Sequence, residues 1–160
     1  MKAAIYSRAM DAEQQQDFQL FFDELTVQKI EPVIFFDLYE QIKSLLKLPP
    51  TATTFSLADE LTENIDFIIS MGGDGTLLDT ITLVRDRNIP VMGINFGRLG
   101  FLASIGREDV KTAVTALTKR TFVIDNRTTI HLDASQPLFG KVPYSLNEFA
   151  IHKRDTDPMI

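Results

Sequence analysis

The chain has 160 residues, 44% of them hydrophobic and 24% charged, which suits a soluble globular protein with a sizeable core. A formal net charge of −6 argues against a nucleic-acid-binding surface, because phosphate backbones recruit Lys and Arg; a local basic pocket for a small phosphorylated ligand stays compatible with it. Cysteine is absent, so disulfides, thiolate metal sites and cysteine nucleophiles are excluded.

The opening MKAAIYSRAM carries an apolar stretch too short for a signal-peptide core. No stretch approaches a bilayer-spanning length, and a cytoplasmic protein without membrane contact is expected. KAAIYSR (2–8) reads as a short strand. Residues 11–29 place Phe18, Phe21, Phe22 and Leu25 on one helical stripe, with Asp11 able to cap it. PVIFF (32–36) is a second strand. Residues 37–47 form a helical pattern with Leu38, Ile42, Leu45 and Leu46 on one face. The Pro49-Pro50 pair breaks the pattern over 48–54. IDFIIS (65–70) is an apolar run of the kind covered on both faces, 76–88 is helical, and IPVMGIN (89–95) is another buried strand. This alternation predicts an α/β fold, a parallel Rossmann-like sheet with helices on both faces. One more helix at 108–120 completes a domain over 1–120. Beyond it, 121–135 and 142–154 are β-rich and partly alternating, with a turn at 136–140. Residues 121–160 read as the start of an all-β domain.

The string IDFIISMGGDGTLLDT (65–80) empties a buried strand into glycines and a helix start. Glycine lets a ligand approach the main chain closely. The carboxyl end of a parallel strand is where open α/β sheets bind ligands, and a helix N-terminus favours phosphate. Asp74 inside that turn repels phosphates unless it serves Mg²⁺ or a substrate hydroxyl, which makes it a candidate base or hydroxyl-orienting group for phosphoryl transfer. The loop is neither a P-loop nor a dinucleotide G-x-G-x-x-G, since Leu78 stands where the third glycine belongs. The plainer alternative is a tight turn in which Asp74 caps the helix.

GGDGT (72–76) after a buried strand resembles the motif shared by NAD kinases, diacylglycerol and sphingosine kinases and, in related form, 6-phosphofructokinases. GINFGRLGFLAS (93–104) resembles the second NAD kinase motif. LNEFAIHK (146–153) resembles the Asn-Glu motif that opens the NAD-binding part of that family's C-terminal domain. The three occur in the family's order, and the chain resembles an NAD kinase over about residues 2–160. The resemblance implies phosphorylation of the adenosine ribose 2′-hydroxyl of NAD by ATP, with Mg²⁺ on the ATP phosphates. It implies that Gly72, Gly73, Gly75 and Thr76 shape the loop near the phosphates of donor and acceptor, and that Asp74 contacts the 2′-hydroxyl and acts as the base. Phe101 would lie against the adenine, Asn95 and Gly97 would form the pocket wall, and Arg98 would serve phosphate or structure. Asn147 and Glu148 would hydrogen-bond the adenine or ribose hydroxyls. Family members continue into a larger β-rich domain, through which they form homo-oligomers. The chain is therefore expected to be a truncated form.

Two other functions stay open from the sequence. One is a lipid or sugar kinase of the same superfamily, against which the second motif counts. The other is a non-catalytic nucleotide-binding fragment. His131 and His152 read as ordinary strand residues, and Asn147 and Glu148 could equally mark an exposed edge or a bulge.

Overall fold

The computed structural model describes residues 1–62, 64–136, 143–146 and 148–150. The chain divides into two compact units, 1–125 and 126–160. In the first, β1 (Lys2–Tyr6), β2 (Glu31–Phe35), β3 (Thr53–Phe55), β4 (Phe67–Met71) and β5 (Val91–Ile94) form one sheet. Its order is β3-β2-β1-β4-β5 and every pairing is parallel. Ala3 stands between Pro32 and Phe67, and Met71 pairs with Ile94. The helices are α1 (Gln15–Val27), α2 (Phe36–Ile42), α3 (Asp74–Val84) and α4 (Val110–Lys119).

The period of two along each strand builds two cores. Ala3 and Ile5 of β1, Phe67, Ile69 and Met71 of β4, and Ile94 of β5 face one layer. There they meet Phe18, Phe21, Phe22 and Leu25 of α1, Leu38 and Ile42 of α2, and Val110, Val114 and Leu117 of α4. Ala4 and Ile68 face the opposite layer, with Phe55, Leu61, Ile65 and Leu83. All five residues of β4 are buried, so its unbroken apolar run reflects cover on both sides. The doubly covered parallel sheet is the architecture that the alternating sequence predicts. Asp11 heads a short 3-10 turn (Ala12–Gln14) before α1; its N–H is held by Gln14 Oε1 at 3.1 Å.

Three expectations are corrected. The second helix ends at Ile42 rather than 47. Two glutamines of α1 take over the backbone bonds that a longer helix would have made. Gln19 accepts from Lys47 N–H at 2.8 Å and donates to its carbonyl at 3.1 Å, and Gln15 donates to the Leu45 carbonyl at 3.0 Å. The freed chain buries Leu46 and leaves Leu45 exposed. The stretch 48–54 is not all a break, because Thr53–Phe55 adds an edge strand, pairing Phe55 with Phe35. The β-rich stretch 121–135 contains only the strand β6 (Ile130–His131). Phe122, Val123 and Ile124 stay exposed, and an alternating segment without an apolar layer opposite it cannot use its pattern.

In the second unit β6 pairs antiparallel with β7 (Tyr144–Ser145), and Leu132 N–H donates to the Pro143 carbonyl at 2.9 Å. His131 stacks on Tyr144 with ring centroids 4.9 Å apart. Asn147, His152 and the rest of the proposed strand past 150 lie outside the described residues.

Candidate active site

From β1 the chain proceeds to β2 on one side of the sheet, while β4 and β5 lie on the other. The loops therefore part between β1 and β4, which opens a crevice at the carboxyl ends of those strands. A cavity of about 220 Å³ lies there. Arg8 lines it from the end of β1, Gly72, Gly73 and Thr76 from the turn after β4, and Asn95 and Phe96 from the turn after β5.

The glycines of GGDGT do different work. Gly72 has φ +151°, and a Cβ there would stand 2.5 Å from Thr76 Oγ1, so the turn itself requires glycine. At Gly73 a Cβ would meet only Asn95 Nδ2 at 3.7 Å, and at Gly75 only the Arg8 guanidinium at 3.5 Å, both ordinary contacts. The chain's own packing therefore does not demand them. In a helix interior, glycine costs roughly 0.5–1 kcal/mol relative to alanine. Their bareness suits something that approaches from outside.

Gly73 caps α3, and helix bonding begins with Thr76 and Leu77 N–H donating to the Gly73 carbonyl at 3.0 and 3.1 Å. The N–H groups of Gly73, Asp74 and Gly75 find no acceptor among the described residues. Three successive bare N–H groups at a helix start form an anion-favouring end. Thr76 is 9% exposed, and its hydroxyl, on the same cavity, makes no hydrogen bond among the described residues.

Asp74 does not cap α3. Its carboxylate reaches the loop after β5 instead. Oδ1 accepts the N–H groups of Leu102 and Ala103, and Oδ2 that of Phe101, each at 2.9 Å. These bonds, the Ala103 N–H foremost, hold the Asp74 carboxyl below the usual aspartate range. The carboxylate packs so closely on Gly100 that a Cβ there would collide with it. The second loop is also braced from within. Asn95 Nδ2 donates to the Arg98 carbonyl at 2.6 Å, and Asn95 Oδ1 accepts from Gly97 N–H at 2.9 Å. Asn95 is thus a loop brace as well as a cavity wall.

The structure brings Gly72, Gly73, Thr76 and Asn95 to one cavity, with Asp74 and Gly75 in the same turn. Gly97 and Arg98 belong to the braced loop, where Arg98 contributes its carbonyl and its side chain is exposed. Phe101 is 98% exposed and covers nothing in the described residues. Glu148 is exposed in the second unit, where its carbonyl accepts from Ser145 Oγ at 2.7 Å. Asn147 is outside the described residues.

The sequence motifs do not single out Tyr6, Arg8 or Asp79. Arg8 donates from Nε and Nη2 to both Asp79 oxygens and from Nη2 to the Gly75 carbonyl at 3.2 Å. Tyr6 OH donates to Asp79 Oδ2 at 3.1 Å. Burial, and then the Asp79 carboxylate, push the Tyr6 phenol up to about 12. The available signal was a cation two residues past the first strand, beside the point where the loops part.

Residues 6–122 match the model of the ATP-NAD kinase N-terminal domain. The chain is 44% identical over 113 residues to an NAD kinase of Cytophaga hutchinsonii, covering 71% of this chain and 38% of that protein. It is 34% identical over 160 residues to an NAD kinase of Bacteroides fragilis, covering all of this chain and 54% of that protein. The fold is similar to that of yeast NADH kinase solved with NADH, with a TM-score of 0.66 at 19% identity over 80% of this chain and 40% of the yeast chain. The chain spans about half the length or less of these relatives. With its two glycine-rich loops joined through Asp74, and with that match across most of its length, the chain belongs to the NAD kinase family.

Proposed function

We propose that the chain carries the phosphate-handling part of an NAD kinase, which transfers the γ-phosphoryl group of ATP to the adenosine ribose 2′-hydroxyl of NAD. The observation that carries this reading is Asp74 standing beside three bare N–H groups, a carboxylate next to an anion-favouring turn. In the reaction, the 2′-oxygen forms a bond to the γ-phosphorus, the bond from that phosphorus to the β,γ-bridging oxygen breaks, and ADP departs. The hydroxyl proton passes to Asp74 and then to solvent.

A carboxylate has about four acceptor sites. The loop occupies two on Oδ1 and one on Oδ2, which leaves one on Oδ2 for the hydroxyl. The three N–H donors also weaken Asp74 as a base. This is tolerable in a loose transition state, where the main demands are alignment and charge neutralisation. Asp74 orients the hydroxyl throughout and takes its proton late, once bonding to phosphorus has acidified it. The bare N–H groups and the Thr76 hydroxyl would hold donor phosphate oxygens.

Mg²⁺ fits this donor set in one way. No group of three or more acidic or histidine side chains that could cage a metal occurs among the described residues. The ion would therefore ride on the ATP phosphates and water, supplying charge neutralisation there. Of the described helices, none is long and apolar enough to cross a membrane.

NADP formation from NAD, ATP and Mg²⁺, with Asp74→Asn assayed beside the wild type, tests the reading. Turnover that falls by at least about 10²-fold in the variant is expected. Near-normal turnover in Asp74→Asn would sink the assignment. The chain's partial coverage of its relatives favours a second reading, a nucleotide-binding portion that is inactive alone. NAD binding without turnover is its signature. Family members' oligomers are proposed for the longer protein only.

A further inference from the structure

Arg8 does more than its ion pair needs. Its side chain is 61% exposed and that of Asp79 30%, and a pair so open to water contributes little to stability. Yet it is held with unusual care. Asp79 grips it at two nitrogens, Tyr6 OH braces Asp79 from below, and the Gly75 carbonyl fixes the near edge of the guanidinium. The remaining edge, Nη1, donates no hydrogen bond among the described residues and lies over Gly75. The same cavity holds the unpartnered hydroxyl of Thr76, and the N–H groups of Gly73, Asp74 and Gly75 end the turn beside it. The residues of this crevice therefore leave uncommitted donors of one kind: a guanidinium edge, a hydroxyl and three amides. The one acidic lining residue, Asp11, stands at the head of the turn before α1.

We propose that Arg8, with Asp79 and Tyr6 as positioning residues, binds the terminal phosphates of the phosphoryl donor over the Gly72–Thr76 turn. This deepens the kinase reading and rests on it for the donor's identity. A guanidinium held by one carboxylate keeps a free edge of the planar fork for a phosphate oxygen. Because the Tyr6–Asp79 contact fixes the fork before the ligand arrives, little side-chain freedom is left to lose on binding. With no side chain at Gly75, the guanidinium sits against the helix start, 3.5 Å from where a Cβ would stand. The fork also draws negative charge away from the transferring phosphorus, which the approaching hydroxyl requires.

The test is calorimetric binding of the magnesium complex of a non-hydrolysable β,γ-imido ATP analogue, and separately of NAD, to the full chain. Arg8→Met should weaken analogue binding tenfold or more, flatten its ionic-strength dependence and leave NAD affinity within twofold. Asp79→Asn should weaken the analogue alone, to a smaller extent. If Arg8→Met loses the wild-type circular dichroism spectrum, Arg8→Lys carries the test, because it keeps the charge and loses the bidentate grip; a threefold or greater loss for the analogue alone is then expected. Smaller losses, equal losses for NAD, or no analogue binding by the wild type would overturn the proposal. NADP formation judges the kinase reading separately: a chain that binds the analogue through Arg8 and makes no NADP keeps this site and loses that activity.

Discussion

The turn after β4 and the loop after β5 are both glycine-rich and both border the crevice, but they are held in different ways. The first is fixed from within. Gly72 takes a backbone angle that side chains avoid, Thr76 fills the space a Cβ would need, and α3 follows at once. The second runs for twelve residues before the next helical turn; Asn95 braces its start, and the Asp74 carboxylate ties Phe101, Leu102 and Ala103 from outside. Asp74 is therefore shared between the two. The residue expected to do the chemistry also shapes the loop expected to meet the nucleotide.

The largest effect is expected from Asp74→Asn. An amide presents one acceptor oxygen where the carboxylate presents two, so the second loop should loosen while the first keeps its form. Beyond the loss of turnover, amide exchange at Phe101, Leu102 and Ala103 should accelerate sharply, with exchange in β4 unchanged. A variant with unaltered loop protection would show that the tether is idle.

Next in size, Gly72→Ala should destabilise the chain by roughly 1–3 kcal/mol, the usual cost of a strained backbone angle, measured by denaturant unfolding. Gly75→Ala should instead leave stability unchanged or raise it by about 0.4–1 kcal/mol, while it weakens binding of the ATP analogue. Equal stability effects at the two positions would erase the distinction between a structural and a functional glycine.

Acid should loosen the same tether by a smaller amount. Since the folded Asp74 pKa is depressed, its tether is fully present above the ordinary aspartate value and is lost as pH falls through the lower folded one. Exchange protection of residues 101–103 should therefore hold at neutral pH and fall selectively below about pH 4. The smallest effect is expected at Tyr6. Its phenol should titrate near 12 in the wild type, by carbon NMR of the ring. In Asp79→Asn it should move part of the way towards 10 and stop short, because burial is the larger cause.

The strands and helices of the first unit were legible because each obeys one period over enough residues. β4 and the α1 stripe of Phe18, Phe21, Phe22 and Leu25 are the clearest cases. The end of α2 was hidden because Gln15 and Gln19, some thirty residues earlier, supply the bonds that let the helix stop. β3 was hidden by the prolines just before it. At the site, the glycine string announced itself, whereas the tie from Asp74 to residues 101–103 spans 27 to 29 positions and leaves no local mark. Arg8 and Asp79, 71 residues apart, were illegible for the same reason.

The Asp74 carboxylate has a finite capacity, and the loop has already claimed three of its roughly four places. The vacant place seats one hydrogen donor. A ribose offers two neighbouring hydroxyls, and both cannot sit there unless Phe101 N–H, the sole loop donor on that oxygen, gives up its seat. The loop thereby acts as a counter. On the proposed function, one hydroxyl fits with the loop at rest and a second fits only if the Phe101 N–H lets go, so the loop limits how many donors Asp74 can hold at once.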